Sequence, residues 1–429
     1  MSAHPPPGLR SACGDEYVRA GGAADAVGGL VPRWVVAPGA AEALAEVLRV
    51  AADVGLTVVA RGAGTKLDWG SPPSRLDLIV DTGRLAGVHK HAAGDLVATV
   101  GAGTPLRAVQ AALGTAGQRV ALDPPSRSAT VGGVLATGES GPLRLQYGTP
   151  RDLLIGVEFV RADGVMAHSG GQVVKNVAGY DLGKLMCGSY GTLGVVTSAT
   201  LRLHPLPAAR LWVLRTVRSP LEVHDLVGRI LAGPLAPAAI EVDLPAGAAT
   251  HSRVPRPHPT ERGETGTIAV LFEGSTAGAT ARAGAVTGLL GPDLSTVDEA
   301  PSWWGRYPFG PTDVALKLVA PIADLYAGIY ALRDAAGSPV PVRGSVGAGV
   351  VYAALPGTLS PARVAALLGA VRTTLMARGG SCVVLSAPSR IRAGIDVWGP
   401  VPGLPLMRRV KDQFDPRRTL APGRMVGGI

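Results

Sequence analysis

Cysteine is scarce in this sequence. Cys13, Cys187 and Cys382 are three residues set far apart in a chain of 429, an odd count that fits reduced thiols rather than a disulfide framework. No Cys-x-x-Cys pair is present, so the chain has no ligand motif for an iron–sulfur cluster or a structural zinc of its own. Long apolar runs are missing as well: no stretch of about 18 uninterrupted apolar residues suggests a membrane-spanning helix, and a soluble protein is expected. The opening Met1-Ser-Ala-His-Pro-Pro-Pro lacks a basic region followed by an apolar one, so no secretion signal is read and the cytoplasm is the expected compartment. Runs of like charge are also absent. The net charge of +9 is carried mostly by scattered arginines, which reads as solvated surface, or contact with a protein or anionic substrate, with no nucleic-acid face.

What is present is hydrophobic residue and glycine. Hydrophobic residues at 47% exclude wholesale disorder, and 429 residues suit two or three domains able to bury a large cofactor. Of the 59 glycines, many gather in two places. The first is Arg61-Gly-Ala-Gly-Thr-Lys-Leu-Asp-Trp-Gly70, directly after the apolar strand Thr57–Ala60. Glycines after a strand expose successive backbone N–H groups that can form an anion-binding nest; a glycine-rich hairpin fits the same residues, and the full G-x-G-x-x-G spacing is lacking. The second is the block Pro124–Pro205. In it, Asp123–Gly138 reads as a rigid turn entering a helix near Thr130–Gly133, whose first-turn amides suit a phosphate or the polar edge of a ring; an N-cap threonine with packing glycines is the alternative.

Around these stretches the pattern is regular. Trp34–Ala37 reads as a strand, and Leu44, Val47, Leu48 and Ala51 recur at helical spacing until Gly55. Strands are expected at Leu78–Asp81 and Leu96–Val100, a helix from Pro105 to about Leu113, and a hairpin turn at Asp163-Gly164. Residues before Val31 are expected to be partly loose, with a short helix near Asp15–Ala20. After Pro205 the glycine motifs stop, and strands alternate with helices in ferredoxin-like β–α–β units. His251 and His258 in a polar, Pro-rich stretch do not make a convincing metal site.

Three words stand out: Lys175-Asn-Val-Ala-Gly-Tyr-Asp-Leu, Gly188-Ser-Tyr-Gly-Thr-Leu-Gly-Val-Val-Thr and Asp415-Pro…Pro422-Gly-Arg-Met425. On these, the chain from about Val31 to Met425 resembles the vanillyl-alcohol oxidase (PCMH-type) FAD-binding family, and more closely the FAD-binding subunits of bacterial glycolate oxidase. The resemblance implies an α+β fold: a PCMH-type FAD-binding domain of two α+β subdomains over residues 28–206, a ferredoxin-like cap over 207–405, a tail over 406–429 that returns to the FAD domain, and an extension over 1–27. It implies FAD as cofactor, held non-covalently, because Thr65 stands where flavin-linking members carry a histidine. The cofactor-binding residues it implies are Arg61, Gly62, Ala63, Gly64, Thr65, Pro125, Thr130, Gly132, Gly133, Arg151, Asp152, Tyr180, Gly191, Val195 and Val196. Asp181, Ser189 and Tyr190 would lie on the flavin side.

The implied reaction is oxidation of a 2-hydroxy acid such as glycolate to a 2-oxo acid, with a second flavoprotein subunit and an iron–sulfur subunit as partners and peripheral membrane contact, if any, through those partners. Arg306 and Lys317 are candidate cations for a substrate carboxylate beside the aromatics of Trp303-Trp304, with core packing and surface as the alternative. No catalytic residue and no metal ligand is singled out. Two departures matter. Ser345-Val-Gly-Ala-Gly-Val-Val-Tyr352 carries Ser and Tyr where related dehydrogenases have two histidines, and Ala421 replaces the usual Asn. A self-sufficient FAD oxidoreductase and a subunit that has lost FAD therefore stay open as readings.

Overall fold

In the computed structural model the described residues are 4–171, 181–246, 265–291 and 293–429. They divide into two units: Met1–Ser140 with Gly148–Leu206 and Pro400–Ile429, and Gly141–Tyr147 with Pro207–Gly399. The seven residues Gly141–Tyr147 thus leave the glycine-rich block and pack with the second unit.

In the first unit one sheet has the strand order Val18–Ala20, Trp34–Val36, Leu78–Asp81, Val58–Arg61. Its last three strands run parallel, so a crossover is required, and the helix Ala41–Asp53 supplies it. Leu44, Val47, Leu48 and Ala51 on that helix are all 0% exposed; each buried Val or Leu contributes about 1.5–3 kcal/mol. The amino terminus differs from the expectation. The short helix expected near Asp15–Ala20 is a single 3-10 turn, Asp15–Tyr17, that runs into a strand at Val18–Ala20, and the segment before it is an ordered helix, Pro7–Cys13, because Leu9 and Cys13, one turn apart, pack into the same core as Leu44 and Leu48.

The second sheet of this unit is antiparallel, in the order Val88–Ala92, Val97–Gly101, Val195–Arg202, Leu154–Val160, Met166–Gly170. Its central strand is buried throughout except at Arg202. The carboxyl-terminal helix Leu404–Phe414 is anchored by Lys411, which is fully buried. Its ammonium donates to Asp415 Oδ2 at 2.6 Å, the Thr192 carbonyl at 2.7 Å and the Leu420 carbonyl at 2.9 Å. The chain then runs beside the strand Val58–Arg61, with Val58 N donating to Thr419 O and Ala421 N to Val58 O, both at 2.8 Å.

The second unit is built on an antiparallel sheet whose described strands run Leu294–Val297, Ala209–Val217, Gly266–Gly274, Ala239–Leu244, Val342–Ser345, Val350–Leu355, Val314–Val319, Ser381–Ser386. The helices Pro220–Ala232, Thr276–Leu290 and Pro361–Met376 each start at a serine whose hydroxyl accepts an amide of the first turn, a cap worth about 1 kcal/mol. Ile240, Val242, Val270, Phe272, Leu316, Leu318, Val351 and Ala353 share one core with the helices. By the two-residue alternation of strands, Glu241, Glu273, Lys317, Arg343, Ser345 and Tyr352 belong to the opposite face. Among the described residues no helix is long and apolar enough to cross a membrane.

Candidate functional site

A cleft of about 820 Å³, measured out into its open mouth, lies within the first unit. One wall is the loop Arg61–Leu67, another the start of the helix Val131–Thr137, and a third the segments Ser189–Gly191 and Gly194–Val196.

The loop's chemistry lies in its backbone. The N–H groups of Gly62, Ala63, Gly64, Thr65 and Lys66 find no acceptor among the described residues, and Ala63, Gly64 and Thr65 are exposed. Gly64 has φ +74°, the left-handed region that turns successive amides inward. At Gly62 the loop touches the opposite wall so closely that a Cβ would sit 2.2 Å from Thr130 Oγ1. Five consecutive unclaimed donors in a concave turn can accept an oxyanion, and the donor set fits a diphosphate.

Around the loop, charges are paired. Arg61 lines the cleft, but its guanidinium bonds Asp25 at 2.7 Å and Asp81 at 2.8 Å, so its own donors are spent on carboxylates. Asp25 also takes bonds from Arg19 and the Gly22 amide, and these, Arg19 foremost, hold its carboxyl well below the usual carboxylate range. Lys66 pairs with Glu139 at 2.6 Å, their side chains 5% and 0% exposed, while Glu139 Oε1 accepts from Ser126 N and Oγ.

The helix wall follows the second of the two sequence readings, an N-cap threonine with packing glycines, and not the ligand-facing one. Val131 N donates to Thr104 O, Gly132 N to Ala102 O and Gly133 N to Thr130 Oγ1, so the first-turn amides are used inside the protein. Thr130, Gly132 and Gly133 line the cleft as a close-packed surface. Gly191 has φ +72° with open space over its Cα. Val195 and Val196 pair with Val160 and Phe159, but the ladder to Val97–Gly101 starts only at Ser198, leaving their other backbone edge outside that ladder.

Of the cofactor residues expected from the sequence, Arg61 to Thr65, Thr130, Gly132, Gly133, Gly191, Val195 and Val196 line this one cleft. Pro125, Arg151 and Asp152 do not. Asp152 instead accepts from Thr149 N at 2.8 Å and Thr149 Oγ1 at 2.7 Å, capping the short helix Pro150–Leu153, and Arg151 is exposed. Tyr180, and with it most of the word beginning at Lys175, lies outside the described residues, as do His251 and His258. Sequence reasoning missed Lys66, Glu139 and Arg424. Lys66 stood inside the recognised loop, while its partner 73 positions later carried no local signal.

The second unit gathers cations on its polar sheet face. Lys317 and Tyr352 are cross-strand partners, as are Arg343 and Tyr352, and such pairs share a face. Arg144 Nη2 donates to the Tyr352 hydroxyl at 3.2 Å. The Lys317 ammonium has no hydrogen-bond or ion-pair partner among the described residues; burial pushes its pKa down, Tyr352 opposes this, and nearby Arg144 adds to it. The cation that accompanies Lys317 is therefore Arg144, while Arg306 is exposed. Ser345 bonds the buried carboxylate of Glu241, and the Tyr307 ring meets Tyr352 edge-on at 4.8 Å. Trp304 packs edge-on against Trp212. No group of three or more His, Cys, Asp or Glu able to share a metal ion occurs among the described residues.

Comparison with known proteins gives three findings. Residues 32–170 match the model of the FAD binding domain family. Glycolate oxidase subunit GlcE of Escherichia coli (strain K12) is 36% identical over 201 residues, 46% of this chain and 56% of that protein; D-lactate dehydrogenase of Archaeoglobus fulgidus is 37% identical over 171 residues, 40% of this chain and 38% of that protein. The chain thus spans about half or less of these curated relatives. A solved structure of alkyldihydroxyacetonephosphate synthase superposes with a TM-score of 0.67 over 92% of this chain and 78% of that one, at 18% identity, which establishes a shared fold.

Proposed function

Starting from an α+β chain whose FAD-binding domain is of the PCMH type and related to those of glycolate oxidase and the D-2-hydroxy-acid dehydrogenases, we propose that it is an FAD-dependent oxidoreductase acting on the CH–OH group of a small 2-hydroxy acid. The observation that carries the reading is the run of unclaimed amides from Gly62 to Lys66. These donors would hold the diphosphate of FAD, with the glycine surface at Gly132 and Gly133 and the free backbone edge of Val195 and Val196 taking the rest of the dinucleotide. Thr65, a poor nucleophile, leaves the cofactor non-covalent. Bound there, FAD supplies a two-electron acceptor for the oxidation.

The chain's own contribution to substrate binding is the Lys317–Arg144 pair. A desolvated ammonium without a counter-ion, next to a guanidinium, is relieved by a carboxylate, and this supports an acid as substrate. The narrower proposal is glycolate, oxidised to glyoxylate by a glycolate oxidase-like assembly that adds a second flavoprotein and an iron–sulfur subunit, in a cytoplasm that keeps the three thiols reduced. The test is anaerobic addition of glycolate and D-lactate to the FAD-loaded chain, alone and with its co-purified partners. Bleaching of the flavin band near ~450 nm, weakened in Lys317→Met, supports the reading. An unbleached band in both preparations, with no perturbation by oxalate as a substrate-like dianion, contradicts it.

A further inference from the structure

We propose that Arg424, in the carboxyl-terminal tail, is a positioning residue for the diphosphate loop, so that retention of the cofactor depends on a side chain about 360 positions away in sequence. The inference rests on the reading that the cleft holds FAD. Arg424 is 3% exposed and lines the same cleft. Its Nη1 donates to Leu67 O at 2.8 Å, and its Nη2 to Trp69 O at 2.7 Å and Lys66 O at 3.4 Å. Three carbonyls at the exit of the loop are thereby gathered onto one planar fork. The five amides ahead of them have no protein acceptor to fix their direction, so the loop's shape is set at its ends: the strand Val58–Arg61 at entry and Arg424 at exit.

Arg424 is itself held. Arg424 N donates to Ala421 O at 3.2 Å, Ser71 N to Arg424 O at 3.2 Å, and Ser74 N to Pro422 O at 2.8 Å. The same tail reaches the buried Thr192, between the two segments of the third wall, where Lys411 bonds Thr192 O and Thr192 Oγ1 lies 3.7 Å from Met425 Sδ. The segment Lys411–Met425 therefore holds both the loop and the stretch behind the third wall, and its guanidinium adds a positive charge where a diphosphate would lie.

The experiment compares the full chain with Arg424→Met and Arg424→Lys. FAD and ADP affinities are measured by titration, and exchange of the hydrogen-bonded amides at the loop exit, Leu67, Trp69 and Ser71, by hydrogen–deuterium mass spectrometry without ligand. Arg424→Met should weaken both FAD and ADP by roughly 10–100-fold, as losing an outer-shell support does, and speed loop exchange at least about tenfold, which is about 1.4 kcal/mol of lost protection. Arg424→Lys, which keeps the charge but not the fork, should regain only part of each. Unchanged loop exchange in Arg424→Lys, or equal FAD affinity in all three proteins, overturns the positioning role. Failure of the wild-type chain to bind FAD or ADP would instead overturn the cofactor reading, and the exchange measurement would still decide the role of Arg424.

Discussion

Replacing Gly62 by alanine is the sharpest perturbation of the cleft. The added Cβ would stand 2.2 Å from Thr130 Oγ1, 3.2 Å from Thr130 Cγ2 and 3.3 Å from Thr130 Cβ. Two responses are open: Thr130 rotates away, or the loop withdraws. Rotation gives up the N-cap bond to Gly133 N, at about 1 kcal/mol; withdrawal carries the strain of overpacking, about 1–3 kcal/mol. Whichever response is adopted, a cost of about 1–3 kcal/mol, felt in the bound geometry, corresponds to a fall in FAD affinity of roughly 5- to 150-fold. The assay is a flavin titration of Gly62→Ala against Gly94→Ala, a surface glycine with nothing within 4 Å of its added Cβ. Thr130→Ala combined with Gly62→Ala removes the clash and should recover about 1–3 kcal/mol of coupling. Equal affinity in the two glycine variants, or no coupling in the double mutant, would refute the contact between the loop and the helix wall.

Three further outcomes are expected. Lys411→Met leaves the buried Asp415 carboxylate without its cation and should destabilise the first unit by about 3–5 kcal/mol, read from its denaturation midpoint; adding Asp415→Asn should recover part of the loss. Asp25, depressed by Arg19 and Arg61, contributes stability that is fully present above its unfolded pKa of about 3.9 and is lost as pH falls below that value towards its lower folded one. The first unit's midpoint should therefore drop on acidification through that window, and Asp25→Asn should flatten the drop while lowering stability at pH ~7. Lys317→Met should remove an unpaired, desolvated charge and leave the second unit as stable or more stable, while weakening oxalate binding by about tenfold or more; loss of stability without loss of oxalate binding would make Lys317 a packing residue.

Much of the scaffold was legible because it is written locally. The helix Ala41–Asp53 announces itself through Leu44, Val47, Leu48 and Ala51, and the strand Leu78–Asp81 through a short apolar run. The anion loop was readable from glycines that follow a strand. Features built by distant pairing were not. Arg144 sits in a segment that packs with the second unit, and nothing in Gly141–Tyr147 itself signals that. Lys66 with Glu139, and Arg424 with the loop carbonyls, join residues that share no periodicity. The strand Val88–Ala92 was missed because its Val-His-Lys-His-Ala pattern is that of a polar sheet edge, and the start of the helix Val131–Thr137 left two readings open because the acceptors that decide between them, Ala102, Thr104 and Thr130, include residues outside the local motif.

The most direct measurement is the flavin content of the purified full chain. One FAD per chain is expected, with a band near ~450 nm, released quantitatively into the supernatant when the protein is precipitated with acid. A colourless chain that takes up no FAD on titration would contradict the cleft assignment, and flavin that stays with the precipitate would contradict a non-covalent site at Thr65.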